Sequence, residues 1–200
     1  MKKQKIIGLC GGSGAGKGEV CRLFDKYGIP SVDTDAVSKI VMQKGHKCYD
    51  EVVEAFGNDI LDENGEIIRK KLASYIYSDI KKKKMLETIT HRHIIDYTLK
   101  KFDKLFEEGY EYVMADAPML FESGMDKICH KTVAVIADEN LRIERIMSRD
   151  NITREFALGR IHAQHTSEEL KSLCDIIVYN DSDLFQLDLN VRKAINEIKN

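Results

Sequence analysis

The sequence predicts an α/β fold built on a five-stranded parallel sheet. Three observations lead to it. Short apolar runs alternate with helical periodicities along most of the chain, the pattern of strand–helix–strand units. No hairpin signal joins any two of the five main runs, so the strands connect by crossovers and lie parallel. The first run passes through glycines at 11, 12, 14 and 16 directly into a helical pattern.

Taken in order, Ile6–Cys10 reads as the first strand, buried on both faces. A helix then runs from Lys17 to Tyr27, with Val20, Leu23, Phe24 and Tyr27 on one face. Gly28 ends it and Pro30 blocks its continuation. Ile29–Val32 is a short second strand delivering Asp33-Thr34-Asp35 to its carboxyl end, where ligands of open parallel sheets bind. A helix follows over Ala36–Gln43, and Asp33 or Thr34 is placed to cap it.

From 44 to 109 the chain turns helical and more charged, which reads as a substrate-side insertion folded onto the core. Tyr49, Val52, Val53 and Phe56 share a face, and Gly57 ends that helix. Asn64-Gly65 marks a turn between Ile60-Leu61 and Ile67-Ile68. Arg69 to Tyr77 is a helix, Lys81 to Lys84 reads as a solvated face, and a long helix is expected over His91–Glu108. His91 and His93, two apart, point away from each other on a helix, which argues against a paired metal site.

Tyr112–Ala115 is the third strand, ending at Asp116 and Pro118, and Thr132–Ile136 the fourth. Asp138 can cap a helix over Asn140–Arg149. Thr166 and Glu169 make a capping box for a short helix. Ile176–Val178 is the fifth strand, ending at Asn180, and Leu184–Ile198 the last helix. The expected organisation is one domain: a core of about 1–43, 110–139 and 165–200, the helical insertion at 44–109, and a lid at 140–164.

Composition bounds the function classes. The 200 residues are 43% apolar and 32% charged, with a net charge of −2, so neither nucleic acid nor a membrane surface is expected as partner. No run reaches transmembrane length, and the apolar run behind the basic Met1–Lys5 is too short for a signal peptide. The five cysteines are scattered without a Cys-x-x-Cys pair, which reads as the buried, reduced thiols of a cytoplasmic protein.

The chemistry is concentrated in Gly12-Ser13-Gly14-Ala15-Gly16-Lys17-Gly18-Glu19. Gly11, four residues, Gly16 and Lys17 have the spacing of a phosphate-binding loop (P-loop) between a strand and a helix. Glycines let backbone N–H groups turn inward around a phosphate, and the helix N-terminus adds its own free N–H groups. Lys17 reaches the outer phosphates as a mobile point charge. Gly18 and Glu19 stand where Ser or Thr would place a hydroxyl on Mg²⁺, so the ion is expected to be held through water, by Asp33, Asp35 or Asp116. Glu19 suits the helix dipole. Asp33 or Asp35 can also take a proton from an attacking hydroxyl. Arg142, Arg145, Arg149, Arg154 and Arg160 suggest a lid that clamps a transferring phosphoryl group. The simplest alternative for each of these arginines is a solvated helix face.

These residues resemble the dephospho-coenzyme A kinase family over nearly the whole chain. The similarity rests on the Gly-Gly-x-Gly-x-Gly-Lys loop, Gly28-Ile29-Pro30 leading to Asp33-x-Asp35, Phe56-Gly57, Gly65, Arg69 and His91. It is most specific in Pro118-Met119-Leu120-Phe121-Glu122-Ser123-Gly124, and continues through Arg145, Arg149-Asp150, Arg160, Gln164, Asp175 and Asn180. The chain departs from the family pattern at Gly18-Glu19, at Lys39 in place of Arg, and at Arg92 in place of Pro. The resemblance implies a P-loop NTPase fold with a helical substrate-binding insertion and an Arg-rich lid. It implies transfer of phosphate from ATP, with Mg²⁺, to the ribose 3′-hydroxyl of dephospho-CoA. It makes Asp35 the general base, Lys17 the phosphate ligand, and Arg145 and Arg149 catalytic. Asp33, Lys39, His91, Pro118 and Leu120 would lie at the substrate. Two other readings stay open. One is a different small-molecule kinase, since Gly-Ala-Gly-Lys-Gly and Val32-Asp33-Thr34-Asp35-Ala36 are similar to cytidylate kinase. The other is a nucleotide-binding protein without catalysis.

Overall fold

The computed structural model describes residues 4–77 and 79–200. Residues 1–3, part of the basic N-terminal run, lie outside the described residues. Five strands form one parallel sheet: β1 (Lys5–Gly11), β2 (Ser31–Asp33), β3 (Tyr112–Asp116), β4 (Lys131–Ile136) and β5 (Ile176–Tyr179), in the order β2-β3-β1-β4-β5. In register, Leu9 of β1 stands beside Asp116 of β3 and Val133 of β4. The carboxyl ends of β1, β3 and β4 therefore rise together at one edge.

Helices cover the sheet because each has one apolar stripe. Val20 and Phe24 of α1 (Lys17–Lys26) pack with Ile7, Leu9, Met114, Val135 and Val178. Leu187, Val191 and Ile195 of the last helix join the same core. On the other side of β1, a Cβ at Gly8 would stand 2.8 Å from the Leu120 side chain, so strand and loop pack there without a gap.

The second strand lies later than the Ile29–Val32 expected. Ile29 N donates to Phe24 O at 3.0 Å, which holds it to the end of α1, and Pro30 has no N–H for the ladder. Its carbonyl still accepts from Met114 N at 2.8 Å. The next helix, α2 (Thr34–Val41), begins two residues early because Asp33 caps it, accepting from Asp35 N at 2.8 Å and Ala36 N at 3.1 Å.

The chain divides into two compact units, Met1–Val32 with Leu105–Asn200, and Asp33–Lys104. The second holds α2, α3 (Lys47–Phe56), α4 (Arg69–Tyr77) and most of α5 (Ile80–Glu107). Leu61 and Ile67 pair antiparallel around the Asn64-Gly65 turn. Val52, Ile60, Leu72 and Phe102 are buried in it. The long helix starts at Ile80, well before the expected His91. Asp79 caps it, accepting from Lys81 N at 2.8 Å, so the lysine run forms its first turns. A cap sets this boundary where periodicity carries no signal.

The sheet-bearing unit is completed by α6 (Glu139–Asp150), α7 (Arg154–His162), α8 (Ser167–Leu173) and α9 (Leu184–Lys199). Asp138 caps α6, and the Thr166–Glu169 capping box starts α8. Ile143 and Ile146 of α6 and Ala157 and Ile161 of α7 form a small core of their own. Among the described residues, no helix is long and apolar enough to cross a membrane.

Candidate active site

The loop between β1 and α1 is held from outside by three side chains on three consecutive carbonyls. Arg142 Nε donates to Ser13 O at 2.9 Å, Arg145 Nη1 to Gly14 O at 3.3 Å, and Asn180 Nδ2 to Ala15 O at 2.8 Å. Arg145 Nη2 also donates to Asn180 O at 3.1 Å, so the braces support one another. Three consecutive carbonyls are thus taken up by side chains, while Ser13 N is bonded to Gln164 and Ala15 N to Gly12 O. Backbone N–H groups at such a turn can gather around an anion. That is the geometry of an anion nest. Gly14 (φ 78°) and Gly16 (φ 87°) supply the left-handed backbone. A Cβ at Gly14 would come 2.5 Å from the Arg142 carbonyl oxygen, so α6 packs too close for any side chain there.

Arg142 is 5% exposed. Burial pulls its pKa down, opposed by Glu139, and among the described residues its Nη2 has no acceptor. An arginine this deep works on the loop and not as part of a solvated face. Asn180 is equally buried, and its backbone N donates to Ile136 O, which fixes it just beyond β5. Its side chain thus stands at the carboxyl end of a strand beside the loop, a position from which its role is readable. Loss of that donor exposes the Ala15 carbonyl to a dry site. Asn180→Ala is expected to cost about 1–3 kcal/mol of stability and to weaken ATP binding, as thermal melts with and without nucleotide will show.

Lys17 opens α1, and its ammonium pairs with the carboxylate of Asp116 at the end of β3. Both side chains are mostly buried, at 16% and 14% exposure. The lysine is parked on Asp116 within reach of the loop and is not waving in solvent. Glu19 is bound by Arg22 on the same helix, which supports its structural role in the first turn. Gly18 is exposed and has no left-handed φ, and a Cβ placed there would meet nothing within 4 Å. Gly18→Ser is therefore expected to fold normally, within ~0.5 kcal/mol of the parent. Its hydroxyl should lower the Mg²⁺ concentration needed for half-maximal activity. A folded, ATP-binding Gly18→Ser that has lost transfer would show that Gly18 itself is required.

The expected lid, 140–164, begins on α6, which is bonded to the phosphate loop. Arg142 and Arg145 tie α6 to the phosphate loop, so the helix is part of the loop's frame. Arg149 donates to Asp150 at 2.8 and 2.9 Å, and Arg160 of α7 binds the same carboxylate. These guanidinium groups hold Asp150 down to about 2. Arg154 donates to Asn140 Oδ1 at 2.9 Å. Only Arg145, of the two arginines expected to be catalytic, reaches the loop.

Pro118 lies in the same unit, on the wall of a cavity of about 230 Å³ with Gly11, Gly12, Glu122, Gln164 and His165. Leu120 is not among the residues that line it. That side chain is fully buried and packs against Gly8. Asp33, Asp35, Lys39 and His91 lie in the Asp33–Lys104 unit. Asp33 has one carboxylate oxygen committed to the α2 cap. Asp35, in the first turn of α2, and Lys39, in its last, are exposed; His91 is half-buried on α5.

All five cysteines are free. Cys10 Sγ lies 3.5 Å from Cys174 Sγ, and that thiol together with burial pushes Cys10 well above the usual thiol range. Burial pushes Cys21 and Cys129 up to about 12, so these thiols stay protonated at neutral pH.

The family model for dephospho-CoA kinase matches residues 5–186. A dephospho-CoA kinase of Oryza sativa is 40% identical over 194 residues, covering 97% of this chain and 84% of its own. One from Bacillus licheniformis is 31% identical over 195 residues, covering 98% and 97%. A crystal structure of a Thermus thermophilus protein superposes with a TM-score of 0.85 at 27% identity, covering 98% of both chains. With its loop, its strand-end lysine–aspartate pair and a match running almost end to end, this chain belongs to the dephospho-CoA kinase family.

Proposed function

We propose that the chain transfers the γ-phosphoryl group of ATP to the ribose 3′-hydroxyl of dephospho-CoA, giving coenzyme A and ADP. The phosphoryl-transfer half rests above all on the three side-chain-bound carbonyls of the loop, Ser13, Gly14 and Ala15. The acceptor rests on the family and on the names of the relatives.

In this reading the N–H groups of the loop and the N-terminus of α1 bind the nucleotide phosphates. Lys17 leaves Asp116 for the outer phosphates, and charge that develops on the transferring group meets a fixed cation. Asp35 accepts the proton of the attacking hydroxyl, the hydroxyl oxygen bonds to the γ-phosphorus, and the bond to the β–γ bridging oxygen breaks. Arg145 acts chiefly by holding Gly14 O and Asn180. The movable cover is then α7 with the turns around it, since α6 is anchored.

The donors present suit a magnesium ion held mainly by the nucleotide and water. Among the described residues no three His, Cys, Asp or Glu side chains converge as an ion cage. Gly18 offers no hydroxyl, and Glu19 is engaged by Arg22. Asp116, with Asp33 and Asp35, is the proposed outer support. Bound Mg²⁺ would supply charge neutralisation on the nucleotide phosphates.

An ADP-release assay across dephospho-CoA, CMP, AMP and pantothenate tests the acceptor. Dephospho-CoA is expected to be used at least about 100-fold better in kcat/KM than any of the others, a difference of roughly 2.7 kcal/mol. A preference for CMP would move the chain to the cytidylate kinase reading, and no acceptor-dependent release would make it a nucleotide-binding protein.

A further inference from the structure

One further side chain reaches the phosphate loop, and it binds a donor where the three braces bind acceptors. Gln164 follows α7 directly. Its Oε1 accepts from Ser13 N at 2.8 Å. Arg142, Arg145 and Asn180 bind carbonyls of the loop. Gln164 binds an N–H, one of the groups a phosphate would use.

The chemistry of the contact orients the amide. A backbone N–H can only donate, so the side-chain oxygen must face Ser13 and the –NH₂ must face away from it. Gln164 also lines the cavity bounded by Gly11, Gly12, Pro118, Glu122 and His165. Among the described residues Nε2 donates to no acceptor. Two N–H donors therefore stand at the rim of the loop with their direction set by the loop itself.

The place of the contact says which phosphate it would meet. The N–H groups at the start of α1 belong to the inner phosphates, and the lysine to the outer ones. Ser13 lies toward the strand end of the loop, on the side away from α1. Pro118 of the same cavity wall follows Asp116, where Lys17 is held. Gln164, bonded at Ser13, therefore belongs to the outer-phosphate end of the loop.

We propose that Gln164 is a specificity-determining residue that reads the γ-phosphate, using the Ser13 N–H to aim its amide and Nε2 to donate to a terminal phosphate oxygen. The proposal rests on the nucleotide half of the reading above and is independent of the acceptor.

Binding of ADP and of a non-hydrolysable ATP analogue, measured by calorimetry on the full chain without acceptor, tests it. Gln164→Met keeps the length, adds no charge and removes both donors. Affinity for the ATP analogue should fall about tenfold or more, the loss expected for a hydrogen bond to a charged oxygen, while affinity for ADP changes less than about threefold. Gln164→Glu retains the acceptor for Ser13 N and guards against a folding failure in the first variant. It should show the same selective loss, larger at low salt because of repulsion. Equal losses for ADP and the analogue would mean Gln164 only supports the loop, and overturn the proposal. So would unchanged or tighter binding of the analogue, which would make Gln164 a plug that phosphate displaces. Failure of the dephospho-CoA assignment would leave these binding results intact and is read separately from the acceptor assay.

Discussion

Lys17→Ala is expected to lower kcat by roughly 10²- to 10³-fold, the scale of losing one charged group that stabilises a transferring anion. The variant also removes the cation beside the Asp116 carboxylate, which is 14% exposed, so it should lose about 1–3 kcal/mol of stability. The two effects separate in a second variant. Lys17→Ala combined with Asp116→Asn removes the buried charge, and should recover most of the melting temperature and none of the turnover. Near-normal turnover in either folded protein would refute the role of Lys17. A kinetic loss that vanishes when stability is restored would mean the pair is structural only.

Asp35→Asn is expected to have a comparable or larger effect, a fall in kcat of about 10²- to 10⁴-fold with the affinity for ATP nearly unchanged. The asparagine keeps the size and cannot take the hydroxyl proton. Asp35 is exposed in the first turn of α2, and its N–H, not its carboxylate, engages the Asp33 cap, so the helix should keep its start. Asp33→Asn preserves an acceptor for the cap and removes only a charge of the proposed magnesium support, so it should cost less turnover than Asp35→Asn and show chiefly as a higher Mg²⁺ requirement. Equal losses at both positions would assign the base elsewhere.

Much of the fold can be read in the sequence because strands and helices there obey different periodicities. All five strands are legible, and their ends err by a residue or two where a proline or a cap intervenes. Ile29 and Pro30 resemble strand because they are apolar or extended, yet Ile29 is bonded back to Phe24. Helix α5 reads short because residues 80–90 lack an apolar stripe, while Asp79 has the capping chemistry to start it.

The loop is legible because its function requires glycines at fixed spacing, and spacing is what a sequence shows. Its supports are not. Arg142, Arg145 and Asn180 lie 129, 131 and 165 residues from the carbonyls they bind. A cluster of arginines in a sequence does not say which one turns inward. Arg142 is the buried one, set by its place in the first full turn of α6 behind the Asp138 cap. The burial of Leu120 against Gly8 is likewise not legible from a motif match, which does not tell a packing side chain from an exposed one.

The reaction that the loop is built for is transfer of phosphate from ATP to one hydroxyl of dephospho-CoA. Phosphorus NMR of the product from purified protein, ATP, Mg²⁺ and dephospho-CoA tests it most directly. A single new phosphomonoester coupled to the ribose 3′ position is expected, formed in step with ADP and absent when Lys17 is replaced. A phosphate at any other position, or ADP formed with no phosphorylated acceptor, would contradict it.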